Sequence, residues 1–413
     1  MRRSTSRLGH SIISENEKCR PRPGLAGNDC DYGMIEMVKA QDICTRCVSD
    51  TTIPNIKFDA GGVCNFCRIH DELEQAHQLN DENRRRFEKL IARIKREGRK
   101  KEYDCVVGVS GGRDSTYVLY NAIRLGLRPL AVHFDNGWNS EIAVSNIKQA
   151  TTRLNVDLHT VVADWEEFKD LQKAFLKASV SDAEIPTDYA ILSVLYKEAA
   201  NAGTRYILNG HSFRTEGIVP LGWTYMDGRY VHSVHRKFGL MKIRSFPIMS
   251  MADLIYYTLV RRITFVNLLR YIEYDQKNAG EIMTQELGWQ YYGGHHHENV
   301  YTHFFQSYLL PQKFKIDKRK IEYSALIRSG QMTREAALKE IEKPYEYNKE
   351  VVKYTISKLN LTQAQFDEIM SAPSRTFHDY ATYYPMIKAL RTPIKVACTL
   401  DLLPMIFYEK YLG

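Results

Sequence analysis

Asp104-Cys105-Val106-Val107-Gly108-Val109-Ser110-Gly111-Gly112-Arg113-Asp114-Ser115 is the stretch whose reading decides the fold. Val106, Val107 and Val109 form a short β-branched run, the signature of a buried strand. Gly111 and Gly112 remove side chains where backbone must approach a ligand closely. Tyr117, Val118, Tyr120, Asn121 and Ala122 continue with helical character. A glycine turn opening a helix presents free N–H groups and the positive end of the helix dipole, which suits phosphate. Ser110 and Ser115 add hydroxyl donors, and Asp114 adds a carboxylate able to hold Mg²⁺ against the phosphates. No lysine precedes Ser115, so this is not the nucleotide loop ending in Gly-Lys-Ser/Thr. A turn that merely joins strand to helix is the plainer reading. Six consecutive specific positions in a strand–turn–helix context weigh against it.

Outward from this stretch the chain alternates strand and helix. Residues 128–137 read as a strand ending in a turn, 140–154 as a helix and 156–162 as a third strand. Residues 166–180 and 187–202 read as helices, and 206–211 as a fourth strand. Alternation at this spacing predicts an α/β fold with a parallel, doubly wound sheet over 103–260. Ligands of such sheets lie beyond the carboxyl ends of the strands. That rule gathers 110–115, 133–137 and 210–216 around one crevice. His211 reads as a core histidine or a pocket residue, and Arg214 and Glu216 as candidates for pyrophosphate or substrate contact. Asp188 is either a helix-start carboxylate favoured by the dipole or a residue facing the crevice.

The 413 residues suffice for two or three domains. A net charge of +8 fits anionic small ligands as well as nucleic acid, and no apolar run reaches membrane-spanning length. Residues 1–37 are polar and Arg/Ser-rich and read as a disordered leader. Within 38–70, Cys44-x-x-Cys47 and Cys64-x-x-Cys67 are separated by 16 residues, which reads as a four-thiolate zinc ribbon. Four thiolates leave no open coordination position, so the zinc is structural, and it supplies folding energy that so small a segment lacks. Disulfides and an iron–sulfur cluster are the weaker rivals. Residues 71–102 read as a charged linker helix with Phe87, Leu90, Ile91 and Ile94 on one face. Interspersed acids and the lack of alternating aromatics argue against an RNA-binding arm there.

From 261 to 413 the chain reads as helical, Tyr-rich and basic, a region for substrate specificity or a partner. A loop with Trp289, Tyr291, Tyr292, His295, His296 and His297 interrupts it. Adjacent loop histidines rarely converge on one metal ion. Beside aromatics and glycines, His296 and His297 instead read as binding an anionic sugar or nucleotide. Lys318 and Arg319 sit in a positive run that either holds phosphate or forms a solvated face. Thr333 caps a new helix.

The sequence Ser-Gly-Gly-Arg-Asp-Ser at 110–115 resembles the pyrophosphate loop of the N-type ATP pyrophosphatases, which include GMP synthetase, asparagine synthetase, NAD synthetase and the tRNA thiolases. Val132-His133-Phe134-Asp135-Asn136-Gly137-Trp138 is similar to the second-strand motif of GMP synthetase. That likeness implies ATP contacts at His133, Phe134 and Asp135, and a fourth-strand role for Gly210 and His211. Taken with the knuckles, Phe58-Asp59, Gly62-Val63-Cys64-Asn65, Tyr292-Gly293-Gly294, Asp317-Lys318-Arg319 and Arg334-Glu335, the chain resembles the N-acetyl sugar amidotransferases of surface-polysaccharide and lipopolysaccharide biosynthesis.

The resemblance implies an ATP-, Mg²⁺- and Zn²⁺-dependent enzyme that adenylylates the acetamido oxygen of a nucleotide-linked or nonulosonic sugar. Ammonia then displaces AMP and leaves an acetamidino group. Asp114 and Ser115 would be catalytic, and Ser110, Gly111, Gly112 and Arg113 would bind pyrophosphate. No glutaminase nucleophile motif is present, which implies partner subunits resembling the glutaminase and cyclase of imidazole glycerol phosphate synthase. A cytoplasmic location and no nucleic-acid partner are expected. The rival is a tRNA thiolase, which uses extra cysteines. Outside the knuckles only Cys19, Cys30, Cys105 and Cys398 remain, and Cys105 falls in the first strand.

Overall fold

The structure, a computed structural model, describes residues 43–294 and 297–399. After the cysteine knuckles come α1 (Asn65–Ala76) and α2 (Asp81–Gly98). The alternating part runs β1 (Cys105–Gly108), α3 (Arg113–Arg124), β2 (Pro129–Asp135), α4 (Glu141–Leu154), β3 (Leu158–Val162), α5 (Trp165–Ala178), α6 (Ile185–Asn201) and β4 (Tyr206–Asn209). Then follow α7 (Gly228–Phe238), α8 (Met251–Ile255), β5 (Thr264–Asn267), α9 (Gln276–Leu287) and α10 (Val300–Phe304). A π-helical stretch at Phe305–Phe314 leads to α11 (Arg319–Arg328), α12 (Arg334–Glu342), α13 (Lys349–Lys358), α14 (Gln363–Ser371), α15 (Tyr384–Ala389) and α16 (Arg391–Thr399).

The five strands form one parallel sheet in the order β3-β2-β1-β4-β5. The chain enters at β1, winds out to β3, then crosses back to β4 on the other side. That reversal leaves a crevice beyond the carboxyl ends of β1 and β4, the topological switch point where such folds bind ligands. Both sheet faces are apolar, as expected when helices cover each of them. Val106, Val132 and Phe134 pack with Phe168, Leu171 and Val194 in one core, and Val107, Val109 and Ala131 pack with Val118, Leu119 and Met283 in the other. Neighbouring valines enter opposite cores because strand side chains alternate faces.

Two sequence boundaries shift. The segment 71–102 is more than a solvated linker, because α2 buries Phe87, Ile91 and Ile94 in the second core. The sheet also runs past residue 260. Thr264–Asn267 forms its fifth strand, inside the stretch read as helical, and pairs with β4 from Tyr206↔Thr264 to Asn209↔Asn267. Phe265 is half-buried and only Val266 is fully buried, so this short edge strand carries a weak apolar signal. Among the described residues, the other regular elements of that stretch are helices. Among the described residues, no helix is long and apolar enough to cross a membrane.

Candidate active site and thiolate cluster

The loop between β1 and α3 is shaped by its glycines. Gly111 has φ +76°, and a Cβ there would stand 2.3 Å from the carbonyl oxygen of Ala143. Ser140 caps α4 by accepting from the Ala143 N–H at 3.1 Å, which sets that helix start directly against the loop. The Gly111 carbonyl accepts from Trp289 Nε1 at 3.0 Å and from Asn146 Nδ2 at 3.1 Å. Ser110 Oγ and Ser115 Oγ lie 3.1 Å apart, and the Gly112 N–H donates to Ser110 Oγ at 3.2 Å. No side chain caps the start of α3, so its first turn faces the crevice with its dipole end unblocked by a cap.

The residues around this loop come largely from far along the chain. The Arg113 N–H donates to the Tyr292 hydroxyl at 3.2 Å, and the Tyr274 hydroxyl donates to the Asp114 carboxylate. Burial first, and then the Asp114 charge, push the Tyr274 phenol well above its usual pKa, so it stays a donor. A cavity of about 320 Å³ here is lined by Ser110, Arg113, Asp114, Ser115, Glu216 and Glu298, with Gly210 and His211 also on its wall. A hard carboxylate oxygen suits Mg²⁺ beside phosphates, and Asp114 would hold it. The His211 Nδ1 bonds the Glu216 carboxylate.

A second cavity, of about 390 Å³, shares Ser110, Ser115, Glu216 and Glu298 with the first. Val109, Val132, Phe134, Ile191, Val194 and Leu195 give it an apolar wall, as a flat heteroaromatic base requires. His133 forms part of its wall. The network assigns the tautomer: Nδ1–H donates to the Val109 carbonyl at 2.8 Å, and Nε2 accepts from Asn139 Nδ2 at 3.0 Å. Burial lowers its pKa, so the ring stays neutral at pH 7 and serves as a hydrogen-bonded wall rather than a proton carrier. Asp188 and Lys318 line this same cavity.

Other candidates from the sequence sit elsewhere. Arg214 is buried away from the crevice. It forks onto Glu74 at 2.8 and 2.9 Å and donates to the carbonyls of His77 and Arg270, tying α1 to the body. Arg319 is likewise occupied. It pairs with Asp317 at 2.7 Å, donates to the Glu340 and Lys343 carbonyls, and covers the Tyr345 ring. Neither guanidinium has the fork free for a phosphate. Asp135 accepts from the Gly137 N–H and Asn139 Nδ2, so it shapes the turn after β2. His297 stacks on His303 with ring centroids 3.5 Å apart. His296 lies outside the described residues.

Tyr274, Asn146 and Glu184 also stand at the site, and no sequence motif marks them. Trp289 and Tyr292 belong to the segment that reads as suited to an anionic ligand, and in the structure they brace the loop. The Tyr274–Asp114 contact spans 160 residues, and nothing local in the sequence marks it.

Cys44, Cys47, Cys64 and Cys67 form a separate, fully buried cluster. Sulfur separations of 3.9 Å (Cys44–Cys67) and 3.7 Å (Cys47–Cys64 and Cys64–Cys67) are too long for disulfides. They match the edge of about 3.8 Å of a tetrahedron built on zinc–sulfur bonds of about 2.3 Å. The four sulfurs therefore fit zinc. Arg328 from α11 donates to Cys67 Sγ through Nε and to Cys47 Sγ through Nη2, both at 3.3 Å. Arg334 donates to the Cys44 and Cys47 carbonyls. Two arginines of the C-terminal helices thus clamp the knuckles, and Lys320–Asp50 adds an ion pair. Cys105 is fully buried, and desolvation raises its thiol pKa, the opposite of what a sulfur nucleophile needs.

Comparison with known proteins matches both halves of this arrangement. Residues 298–391 match the family described as LPS biosynthesis protein WbpG-like, C-terminal domain, and residues 104–193 match queuosine biosynthesis protein QueC. An uncharacterized protein of Methanocaldococcus jannaschii is 26% identical over 170 residues, which is 41% of this chain. The match spans 58% of that relative's length. Among solved structures, NMN synthetase from Francisella tularensis is 13% identical with a TM-score of 0.29, over 68% of this chain and 96% of that one. The NH3-dependent NAD synthetase from Campylobacter jejuni is 15% identical with a TM-score of 0.26, over 48% of this chain and 81% of that one. A predicted subunit of tRNA methyltransferase from M. jannaschii is 13% identical with a TM-score of 0.27, over 44% of this chain and 75% of that one.

Proposed function

We propose that this chain, an ATP-using enzyme of the PP-loop pyrophosphatase superfamily with a WbpG-like C-terminal domain, converts the acetamido group of a sugar into an acetamidino group for lipopolysaccharide or related surface-polysaccharide assembly. The observation that carries the reading is the shared border of the two cavities. A phosphate-type glycine loop with Asp114 lies on one side and a base-sized cavity with an apolar wall on the other, with Ser110 and Ser115 between them. ATP laid across that border has its α-phosphate at the two serines.

The chemistry then balances as two displacements. The acetamide oxygen attacks the α-phosphorus, an O–P bond forms, and the bond to pyrophosphate breaks. Loop N–H groups and the Ser110 and Ser115 hydroxyls stabilise the leaving pyrophosphate by position and charge. Asp114 would hold Mg²⁺, which when bound would supply further neutralisation of the phosphate charge. Ammonia adds to the activated carbon, the C–O bond breaks, and AMP departs carrying the former amide oxygen. The sugar keeps an amidinium, and one proton goes to solvent. An amide oxygen is a poor leaving group until it is adenylylated, which is why ATP is cleaved between its α and β phosphates. We further propose a cytoplasmic location and ammonia delivery by partner subunits of the glutaminase and cyclase type.

Acetamido sugars labelled with ¹⁸O in the acetyl group, incubated with protein, Mg-ATP and ammonium, test the reading by mass spectrometry. The expected result is a sugar with oxygen replaced by NH and the label recovered in AMP. Asp114→Ala should lower AMP formation by about 10²–10³. Unlabelled AMP, or thiolated tRNA in place of a sugar product, would overturn the proposal.

A further inference from the structure

A third cavity, of about 220 Å³, adjoins the base-sized one. The two share Glu184, Asp188 and Lys318, whereas the third cavity has no residue in common with the loop cavity. The order is therefore phosphate loop, nucleoside cavity, third chamber. Its opposite wall is apolar and aromatic, with Val219, Trp223, Met226, Phe305 and Leu310. Four separate segments build it: the start of α6, the loop at 219–226, the π-helical stretch and the residue before α11.

The chamber's frame is held in place. Asp182, fully buried at its edge, accepts from the Tyr230 hydroxyl at 2.7 Å and from the Tyr225 N–H at 3.1 Å. Tyr225 stacks on Phe377 with centroids 4.4 Å apart. Thr302 donates to the Glu184 carboxylate, fixing that acid at the shared border.

We propose that this chamber seats the acceptor, a single sugar ring with its acetamido arm that also bears an anionic phosphate or carboxylate. The assignment rests on the amidotransferase reading above and adds the place and chemistry of the second substrate. The chamber shares no residue with the loop cavity, so an acceptor seated there does not contest the pyrophosphate site, and its acetamido arm reaches toward the α-phosphate through the border at Glu184, Asp188 and Lys318. Asp188 and Glu184 accept hydrogen bonds from ring hydroxyls. Trp223 offers an apolar face to the ring's C–H groups, and Met226, Phe305 and Leu310 surround the acetyl methyl. Lys318, half-buried at the border, pairs with the anionic group. A volume of this size admits one small ring.

Met226→Trp fills the chamber from a wall that does not touch the nucleoside cavity. Lys318→Gln removes only the charge. UDP-N-acetylglucosamine and N-acetylneuraminic acid serve as acceptor probes for phosphate and carboxylate. For the probe the wild type turns over, both variants should raise the acceptor KM by about tenfold or more, and Met226→Trp, which does not touch the nucleoside cavity, should leave the KM for ATP within about twofold. The probe that responds to Lys318→Gln identifies the anion. Turnover in the wild type with an unchanged acceptor KM in both variants would sink the chamber alone. AMP formation with neither probe would sink the amidotransferase reading and the chamber with it. ATP-analogue binding and the unfolding midpoint of each variant separate a blocked chamber from a misfolded chain.

Discussion

Adding one methyl group at Gly111 tests whether the phosphate loop is held as tightly as its contacts imply. The backbone there is left-handed at φ +76°, where an L side chain costs about 1–2 kcal/mol. The new Cβ would also stand 2.3 Å from the Ala143 oxygen and 2.8 Å from that residue's carbonyl carbon and Cα. An ordinary C···O approach is about 3.3 Å or more, so roughly 1 Å of backbone must give way. Overpacking of this kind costs about 1–3 kcal/mol. Moving Gly111 also strains the two bonds its carbonyl accepts from Trp289 and Asn146, each worth about 1 kcal/mol.

Gly203 isolates the backbone cost. It has φ +67°, and a Cβ there would meet nothing within 4 Å. Gly203→Ala should therefore lose only the conformational cost, offset by about 0.4–1 kcal/mol of reduced unfolded-chain entropy. The expected losses are about 1 kcal/mol for Gly203→Ala and about 3–5 kcal/mol for Gly111→Ala, read from urea unfolding. A loop shifted by about 1 Å should also lower AMP formation about 10²-fold in the second variant alone. Equal destabilisation of the two variants would refute the claim that the start of α4 clamps the loop.

Burial raises the Asp182 carboxyl from 3.8 to about 7. Its unfolded form loses the proton first, so stability should fall as pH rises from about 4 to 7, by as much as about 4 kcal/mol. Asp182→Asn should flatten that slope in unfolding midpoints measured across this range, and an unchanged slope would refute the assignment. At the cysteine cluster, Arg328→Met should speed zinc loss to a chelator about tenfold or more, because it strips two charge-assisted bonds from the sulfurs. Arg328→Lys, which keeps the charge but not the fork, should fall between; identical release rates in all three proteins would show that the clamp does not act on the metal.

Much of this molecule was legible in short windows of sequence. Residues 104–115 encode a strand, a turn and a helix start through β-branching and two glycines, which are local properties. The alternation from 128 to 211 has the period of helices and strands, so all six predicted elements there fall within a few residues of Pro129–Asp135, Glu141–Leu154, Leu158–Val162, Trp165–Ala178, Ile185–Asn201 and Tyr206–Asn209. The paired knuckles name four ligands because two-residue spacing sets two thiolates on one turn.

Charge and aromaticity were poorer guides to role. Arg214 and Arg319 look like anion ligands in the chain, and folding commits both to carboxylates and carbonyls of neighbouring segments. A side chain's type records what it is able to bind, whereas its partner depends on which segments meet. That is why the loop's braces lay hidden. Trp289, Tyr292 and Tyr274 reach Gly111, Arg113 and Asp114 across 160 to 179 residues, and Arg328 reaches the sulfurs across 261 and 281. The sequence by itself determined the phosphate loop, the parallel sheet and the thiolate set, because each is written in contiguous residues by backbone propensity and ligand spacing. Only the tertiary structure decided what holds the loop and clamps the cysteines, and how three cavities line up. Those depend on long-range packing, in which helices of the last third close over a crevice made by the first two.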